Sequence, residues 1–427
     1  MVKNRLHGID AVRTAAILFV VILHSVSLSE YIEDTASPMW VLALYLRQLS
    51  FACVPLFLML SGYLQSRKKF CAAYYRGIIP LYLSYIVISI LCVAAYAIYG
   101  YTTDAVAGFG GAVYSLLNFS ANPYAWYFEM YIGLFLLIPF LNMIYHGIHT
   151  RRGKHILLLS LILLTVLPDT AAGLSPYYSG ASDVTWDIFP DFFKSLYPVT
   201  YYFVGCYIAE FQPKLRGGKK LLALCVPLLP CGLVLLYTHL RGQYAWYVCN
   251  GFQTLTAFLT ALMVFLALYD WNIQGRFLQK SLEQIALCSF EMYLLSYLWD
   301  NLIYNVIELH LRLPLAFTVI LVFVCSFGSA IVLRLCLQPI AKVLMKGYDR
   351  LTCGKSGGPV KTKRIFLFEK DAFFLCNNTW VGEFPCKRGG ECHLFYIIVQ
   401  KIRFFQKKVL HFGKDSFIIK AWVGKSG

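Results

Sequence analysis

Charge is scarce in this chain. Only 14% of its 427 residues are Asp, Glu, Lys or Arg, against roughly 25% in an ordinary soluble protein. Acids are scarcer still, 22 against 38 Lys and Arg. With 59% hydrophobic residues and a mean hydropathy of +0.61, a soluble globular domain is excluded. The fourteen cysteines are scattered, many inside apolar segments, so no secreted disulfide framework is written here. The spacings among Cys376, Cys386, Cys392 and His393 are not those of a compact zinc finger, and no metal site is expected. There is no obvious inverted repeat and no cleavable leader, only an apolar first segment that stays in place.

What remains is a series of apolar windows long enough to cross a bilayer. The pattern predicts an all-α polytopic membrane protein, a bundle of about ten transmembrane helices. They fall near 8–28, 39–64, 77–99, 126–145, 155–172, 192–210, 220–238, 251–269, 284–307 and 314–335. The net charge of +16 sits largely in short loops, as topology determinants do, and does not suggest nucleic acid. Lys3 and Arg5 precede the first span. Basic groups follow the second (Arg67, Lys68, Lys69), the fourth (Arg151, Arg152, Lys154), the sixth, the eighth and the tenth. The other loops hold Glu30, Glu33, Asp34, Asp104, Asp183 and Asp187. This alternation places both termini in the cytoplasm of a cell, bacterial in character. Residues 1–350 form the membrane domain. Residues 351–427 form a basic cytoplasmic tail with 14 Lys and Arg against 5 Asp and Glu and no apolar run of span length. Its amphipathic stretches suit anionic inner-leaflet lipids.

The first span reads AVRTAAILFVVILHSV from Ala11 to Val26. Arg13 and His24 project within ~20° of each other and lie ~16 Å apart along a helix, with Asp10 on the same side. Ionisable groups are costly in hydrocarbon unless they face a polar interior. The stripe is therefore either a set of helix-packing polar groups or the wall of a reaction channel. In the second span Arg47 precedes Pro55, which interrupts the helix, and Ser61–Gly62 marks a tight approach or a break. Arg67, Lys68, Lys69 and Arg76 are topology residues or a phosphate-binding patch at the inner mouth. Glu129 lies in an aromatic belt with Trp126, Tyr127 and Tyr131. It faces headgroups or reaches a polar acceptor near His24. Asn118-Phe119-Ser120 fits a glycosylation triplet. The outer loop near 170–190 mixes Tyr177, Tyr178 and Trp186 with Asp183 and Asp187, as sugar-stacking sites and ordinary membrane surfaces both do. Glu291 and Asp300 fall on opposite faces of the ninth helix, at ~900° of rotation, so at most one is expected in any single cavity.

Several segments, in order, resemble the acyltransferase 3 family. They are RLHGIDAVRTAAILFVVILHS (Arg5–Ser25), VPLFLMLSGYL (Val54–Leu64), YRGIIPLYLSY (Tyr75–Tyr85), WYFEMYIGLFLLIPFLN (Trp126–Asn142), YYFVGCYIAEF (Tyr201–Phe211) and SFEMYLLSY (Ser289–Tyr297). The resemblance covers about residues 5 to 345 and is most specific in the first segment. It implies an O-acyltransferase moving an acyl group, usually acetyl in the family, from acyl-coenzyme A as co-substrate, with no tightly bound cofactor. The implied acceptor is a surface polysaccharide, a lipid-linked sugar or peptidoglycan. It implies His24 as the catalytic histidine, Arg13 and Asp10 as its first-helix partners, and Arg76 as the second arginine of a paired motif. The first of that pair is Ala73 here, where Arg67, Lys68 or Lys69 would substitute. Ser296 stands where many members carry histidine. Acceptor-side candidates are Arg47, Glu129 and Glu291. Oligomeric state is not indicated. Direct transfer and an acyl-enzyme on His24 or a serine both fit, and so, by residues alone, do a secondary transporter and a non-enzymatic membrane interaction protein.

The topology is directly testable. Cysteine-accessibility labelling should place the 212–219 loop and position 350 on one side of the membrane and the 176–188 loop on the other. Labelling of position 350 and the 176–188 loop from one side would end the ten-span arrangement.

Overall fold

In a computed structural model, residues 6–29, 38–99, 108–173, 188–240, 251–304 and 314–353 are described, and they contain no strand. They lie in one compact unit, Met1–Cys376. The proposed tail from 354 onward and the acidic and aromatic residues of the 174–187 loop fall outside the described residues.

The helices are α1 (His7–Leu28), α2 (Pro38–Ser50), α3 (Cys53–Gln65), α4 (Ala72–Tyr75), α5 (Ile79–Tyr99), α6 (Phe109–Leu117), α7 (Trp126–Gly147), α8 (Arg151–Thr165), α9 (Leu167–Gly173), α10 (Tyr197–Phe211), α11 (Gly218–Cys225), α12 (Leu228–Leu240), α13 (Leu255–Leu268), α14 (Arg276–Leu302) and α15 (Leu315–Cys353). Among the described residues, seven stretches are long and apolar enough to cross a membrane. They match seven of the ten expected spans, so a multi-pass all-α membrane protein stands while a count of ten does not follow. The remaining three are helical but differ in kind. Helices α10 and α13 have 15 and 14 residues, short of the ~20 that a hydrocarbon core requires. Helix α14 has 27 residues but carries Glu283, Glu291 and Asp300, which dilute its hydropathy.

Helix α1 is the hub. It packs against α2, α3, α13, α14 and α15, and its buried face runs from Gly8 to Val26. Arg13 meets Ala286, and Ser25 lies against Asp300, so α1 and α14 run parallel. Ser84 with Glu291 and Tyr96 with Tyr297 make α5 parallel to α14 as well. Arg334 with Leu287 and Thr318 with Tyr304 make α15 antiparallel to it. These directions are the ones alternation requires of the first, third, ninth and tenth spans.

The second span is broken where its proline predicts. Pro55 supplies no N–H, the ladder turns at Phe51–Ala52, and α3 resumes with Leu56 donating to Ala52. Ser61–Gly62 is a close approach rather than a break. A Cβ on Gly62 would stand 1.9 Å from the Tyr202 carbonyl oxygen, and one on Gly205 would stand 2.0 Å from that of Met59. Two glycines thus let α3 and α10 touch backbone to backbone. Apolar burial gives helices in lipid little reason to associate, so van der Waals packing of this kind matters more. The loop after α3 is also fixed. Asn142 donates to the carbonyls of Gln65 and Lys68 at 2.8 Å each, and His146 contacts the Ser66 carbonyl. The foot of α8 is held by Lys154, buried and 2.7 Å from both Glu210 carboxylate oxygens.

Gly205→Ala should therefore force α3 and α10 apart and cost about 1–3 kcal/mol or more. Ala at Gly133, where a Cβ meets nothing within 4 Å, should be neutral. Thermal unfolding of the two variants in detergent measures the difference.

Candidate active site

Two polar sites lie along α1. The first surrounds Arg13. It is a cavity of about 110 Å³, walled by α1, α3, α5, α7, α14 and α15. Aromatic and aliphatic groups make most of the wall, including Phe57, Leu60, Tyr127, Tyr131, Phe290 and Tyr293. Its charged groups are Arg13, Glu291 and Arg334. Arg13 donates from Nη1 to the Ala286 carbonyl at 3.4 Å. Glu291 is buried, accepts from Ser84 at 3.1 Å through Oε1, and has Arg334 Nη1 3.7 Å from Oε2. Arg334 also donates to the Leu287 carbonyl. Two guanidiniums to one carboxylate leaves a formal excess of one positive charge in a mostly apolar chamber, a setting suited to a long ligand with an anionic or carbonyl-rich part.

The second site is His24, about three turns further along α1. It is half-buried and does not line the cavity. Its ring stacks on Tyr124, with centroids 3.7 Å apart and planes 20° apart. Tyr124 is held on both sides. Its backbone N–H donates to the Asn122 side chain, and its hydroxyl donates to Asp300 Oδ2 at 2.8 Å. Asn122 in turn donates to the Leu294 carbonyl. Arg47 is an electrostatic neighbour of His24, donates to Ser27 at 3.1 Å and lies over the Phe51 ring. A histidine in this setting can accept a proton while its ring orientation stays fixed.

Of the sequence candidates, Arg13 and Glu291 meet at the cavity, and His24 and Arg47 meet at the far end. Asp10 is buried one turn from the N-terminus of α1, 3.7 Å from His7 Nδ1. Arg76 stands at the foot of α5 beside the cavity residue Gly77 and is joined to Asp349 at 2.5 Å. Arg67 and Lys69 are exposed and Lys68 half-buried, on the clamped loop and outside the cavity lining. Glu129 is half-buried and does not line the cavity. Asn118 is exposed beside Phe119, whose φ is 58°. No group of three or more His, Cys, Asp or Glu among the described residues could hold a metal. Of Glu291 and Asp300, only Glu291 lines the cavity, as their half-turn offset requires. Sequence reasoning passed over Arg334 and Tyr124, and weighed Asp300 only against Glu291. A lone arginine in the last apolar run carries the same signal that singled out Arg13. Tyr124 carries no such signal, since tyrosines are abundant and its role depends on a contact across 100 residues of chain.

A helical membrane protein with an internal cationic chamber and a separately held histidine is the class that these features define. A model of the acyltransferase domain matches residues 6–335 of the 427, and the chain belongs to that family. No curated protein and no solved structure matches it.

The Glu291–Arg334 pair gives a prediction. Arg334→Leu should destabilise the protein by stranding the buried Glu291 carboxylate, and Glu291→Leu should do so less, because Arg334 is only half-buried. The double variant should recover about 1–3 kcal/mol of the summed loss. Unfolding of the four proteins in one detergent gives the coupling.

Proposed function

We propose that this membrane acyltransferase moves an acetyl group from acetyl-coenzyme A to a hydroxyl of a cell-envelope glycan, lipid-linked sugar or peptidoglycan. The observation that carries the reading is the placing of His24 and Arg13 on one helix, the first beside a buried Tyr124–Asp300 pair and the second in the cationic cavity. The coenzyme enters from the cytoplasmic side, where both termini lie in this reading. Its pantetheine arm follows the apolar wall past Arg13 and Arg334. Its phosphates stay near Arg76, Arg67, Lys68 and Lys69 at the mouth, with Arg76 exchanging Asp349 for phosphate. The acceptor approaches from the Arg47 end.

Transfer needs a base, an aligned pair of reactants and stabilisation of a tetrahedral oxyanion. Neutral His24 takes the proton from the acceptor hydroxyl as that oxygen bonds to the thioester carbon. The intermediate then expels the coenzyme thiolate, which receives the proton from His24. Asp300 orients Tyr124, and Tyr124 orients the imidazole through its face. Asp10 acts on the N-terminal end of α1, away from the reacting atoms.

An amide at position 24 keeps a hydrogen bond but accepts no proton near pH 7. His24→Asn should insert, fold and bind acetyl-coenzyme A, yet lose transfer by ~10²–10⁴-fold. Thiol release in proteoliposomes, paired with mass spectrometry of envelope glycans from cells bearing each protein, tests this and identifies the acceptor. Wild-type acylation by the variant would remove His24 from the mechanism.

A further inference from the structure

A polar atom buried without a partner is destabilising by about 1–3 kcal/mol, so such atoms mark places where the chain keeps a group for something outside itself. Among the described residues, two of these atoms line the cavity. One is Glu291 Oε2, which has Arg334 at 3.7 Å. The other is the Tyr293 hydroxyl, whose oxygen faces the Tyr127 backbone N–H while its own proton meets no acceptor. Tyr293 is only 6% exposed. Its ring packs edge-on against Tyr127, centroids 5.6 Å apart, a contact that phenylalanine would make equally well without the hydroxyl. The Tyr127 N–H, a first-turn donor of α7, accounts for an acceptor at this position but not for the buried proton.

Its position does. Tyr293 lines the cavity with Arg13, and Tyr297, one turn further along α14, packs edge-on, centroids 5.0 Å apart, against Tyr124, the ring on which His24 is stacked. Tyr293 therefore stands at the boundary between the chamber and the histidine. A thioester whose acyl end passes from the chamber toward His24 must present its carbonyl there.

We infer that Tyr293 is a catalytic hydrogen-bond donor, its hydroxyl taking the carbonyl oxygen of the bound thioester and holding the oxyanion of the tetrahedral intermediate. This rests on the acyl-transfer reading above. As the acceptor oxygen bonds to the carbonyl carbon, the π electrons move onto the carbonyl oxygen and Tyr293 O–H donates to it. When the C–S bond breaks the pair returns, the thiolate takes the proton held by His24, and Tyr293 leaves with its own proton unchanged. A preformed donor in a water-poor site needs no reorganisation at the moment of reaction.

The test uses the full chain in proteoliposomes with envelope fragments as acceptor and acetyl-coenzyme A carrying a ¹³C carbonyl. Tyr293→Phe keeps the ring and should lower kcat for thiol release by roughly 10²–10³-fold, with KM for acetyl-coenzyme A within about threefold. The ¹³C=O stretch of the bound thioester should move to lower frequency in the wild type and return toward its solution value in the variant, a change that a purely structural role would not produce. Unchanged kcat, or a carbonyl band identical in the two proteins, would overturn the assignment and leave acyl transfer standing. A wild-type protein that neither binds acetyl-coenzyme A nor releases thiol would overturn both. If Tyr293→Phe fails to fold, the wild-type band alone decides, and an unshifted carbonyl counts against Tyr293.

Discussion

A charge taken out of water must find its partners within the protein, and this bundle places several charges where water is scarce. The way they are satisfied decides which helices can be neighbours. Arg13 reaches a backbone carbonyl of α14. Glu291 on α14 is shared between Ser84 of α5 and Arg334 of α15. Asp300, nine residues further along α14, receives the hydroxyl of Tyr124 just before α7. Each of these ties joins two elements that apolar contact alone would let slide or rotate. Together they fix α1, α5, α14 and α15 in one register. In lipid, where hydrocarbon surrounds both the separated and the associated helices, polar ties and close backbone contact supply much of the specificity.

That dependence explains what could be read from the residues. Arg13 and His24 share a face by simple rotation along one helix, and the structure keeps them on α1 with the cavity at one and the stacked tyrosine at the other. Pro55 announced its break, and Gly62 its close approach, because both act through local backbone geometry. Partners across helices were not legible. Nothing near Gly62 in the chain names Gly205, and nothing near Arg76 names Asp349. The ninth span illustrates a subtler limit. Rotation put Glu291 and Asp300 on opposite faces correctly, but opposite faces of α14 are both interior, since residues from Ala286 through Asp300 are buried nearly all round. The three segments that fall short of spanning by length or apolarity were drawn as full spans because an apolar window does not show where its helix ends.

In the proposed mechanism the chamber and the histidine divide the labour of an acyl transfer between them. Binding a long thioester calls for an extended, mostly apolar wall with few charges. Taking a proton calls for a small, oriented imidazole. Both sit on α1, so a rigid helix sets the separation between them, ~16 Å at 1.5 Å per residue. Around His24 the orientation is passed inward from Asn122 and Asp300 through Tyr124. Loss of either would loosen the imidazole without touching it, the kind of support on which precise placement depends.

Helix α15 has 39 residues, ~58 Å at 1.5 Å per residue, against a hydrocarbon layer of ~30 Å. Nearly half of it is more helix than the layer needs. The family match stops at residue 335, yet Leu337, Gln338 and Ala341 still wall the cavity and Asp349 still grips Arg76. Pro339 lies between the embedded half and the projecting half. One continuous helix therefore carries both Arg334 in the chamber wall and Asp349 at Arg76, with Pro339 between them. A change in the tilt of that rod would alter the chamber wall and the Arg76 clasp together.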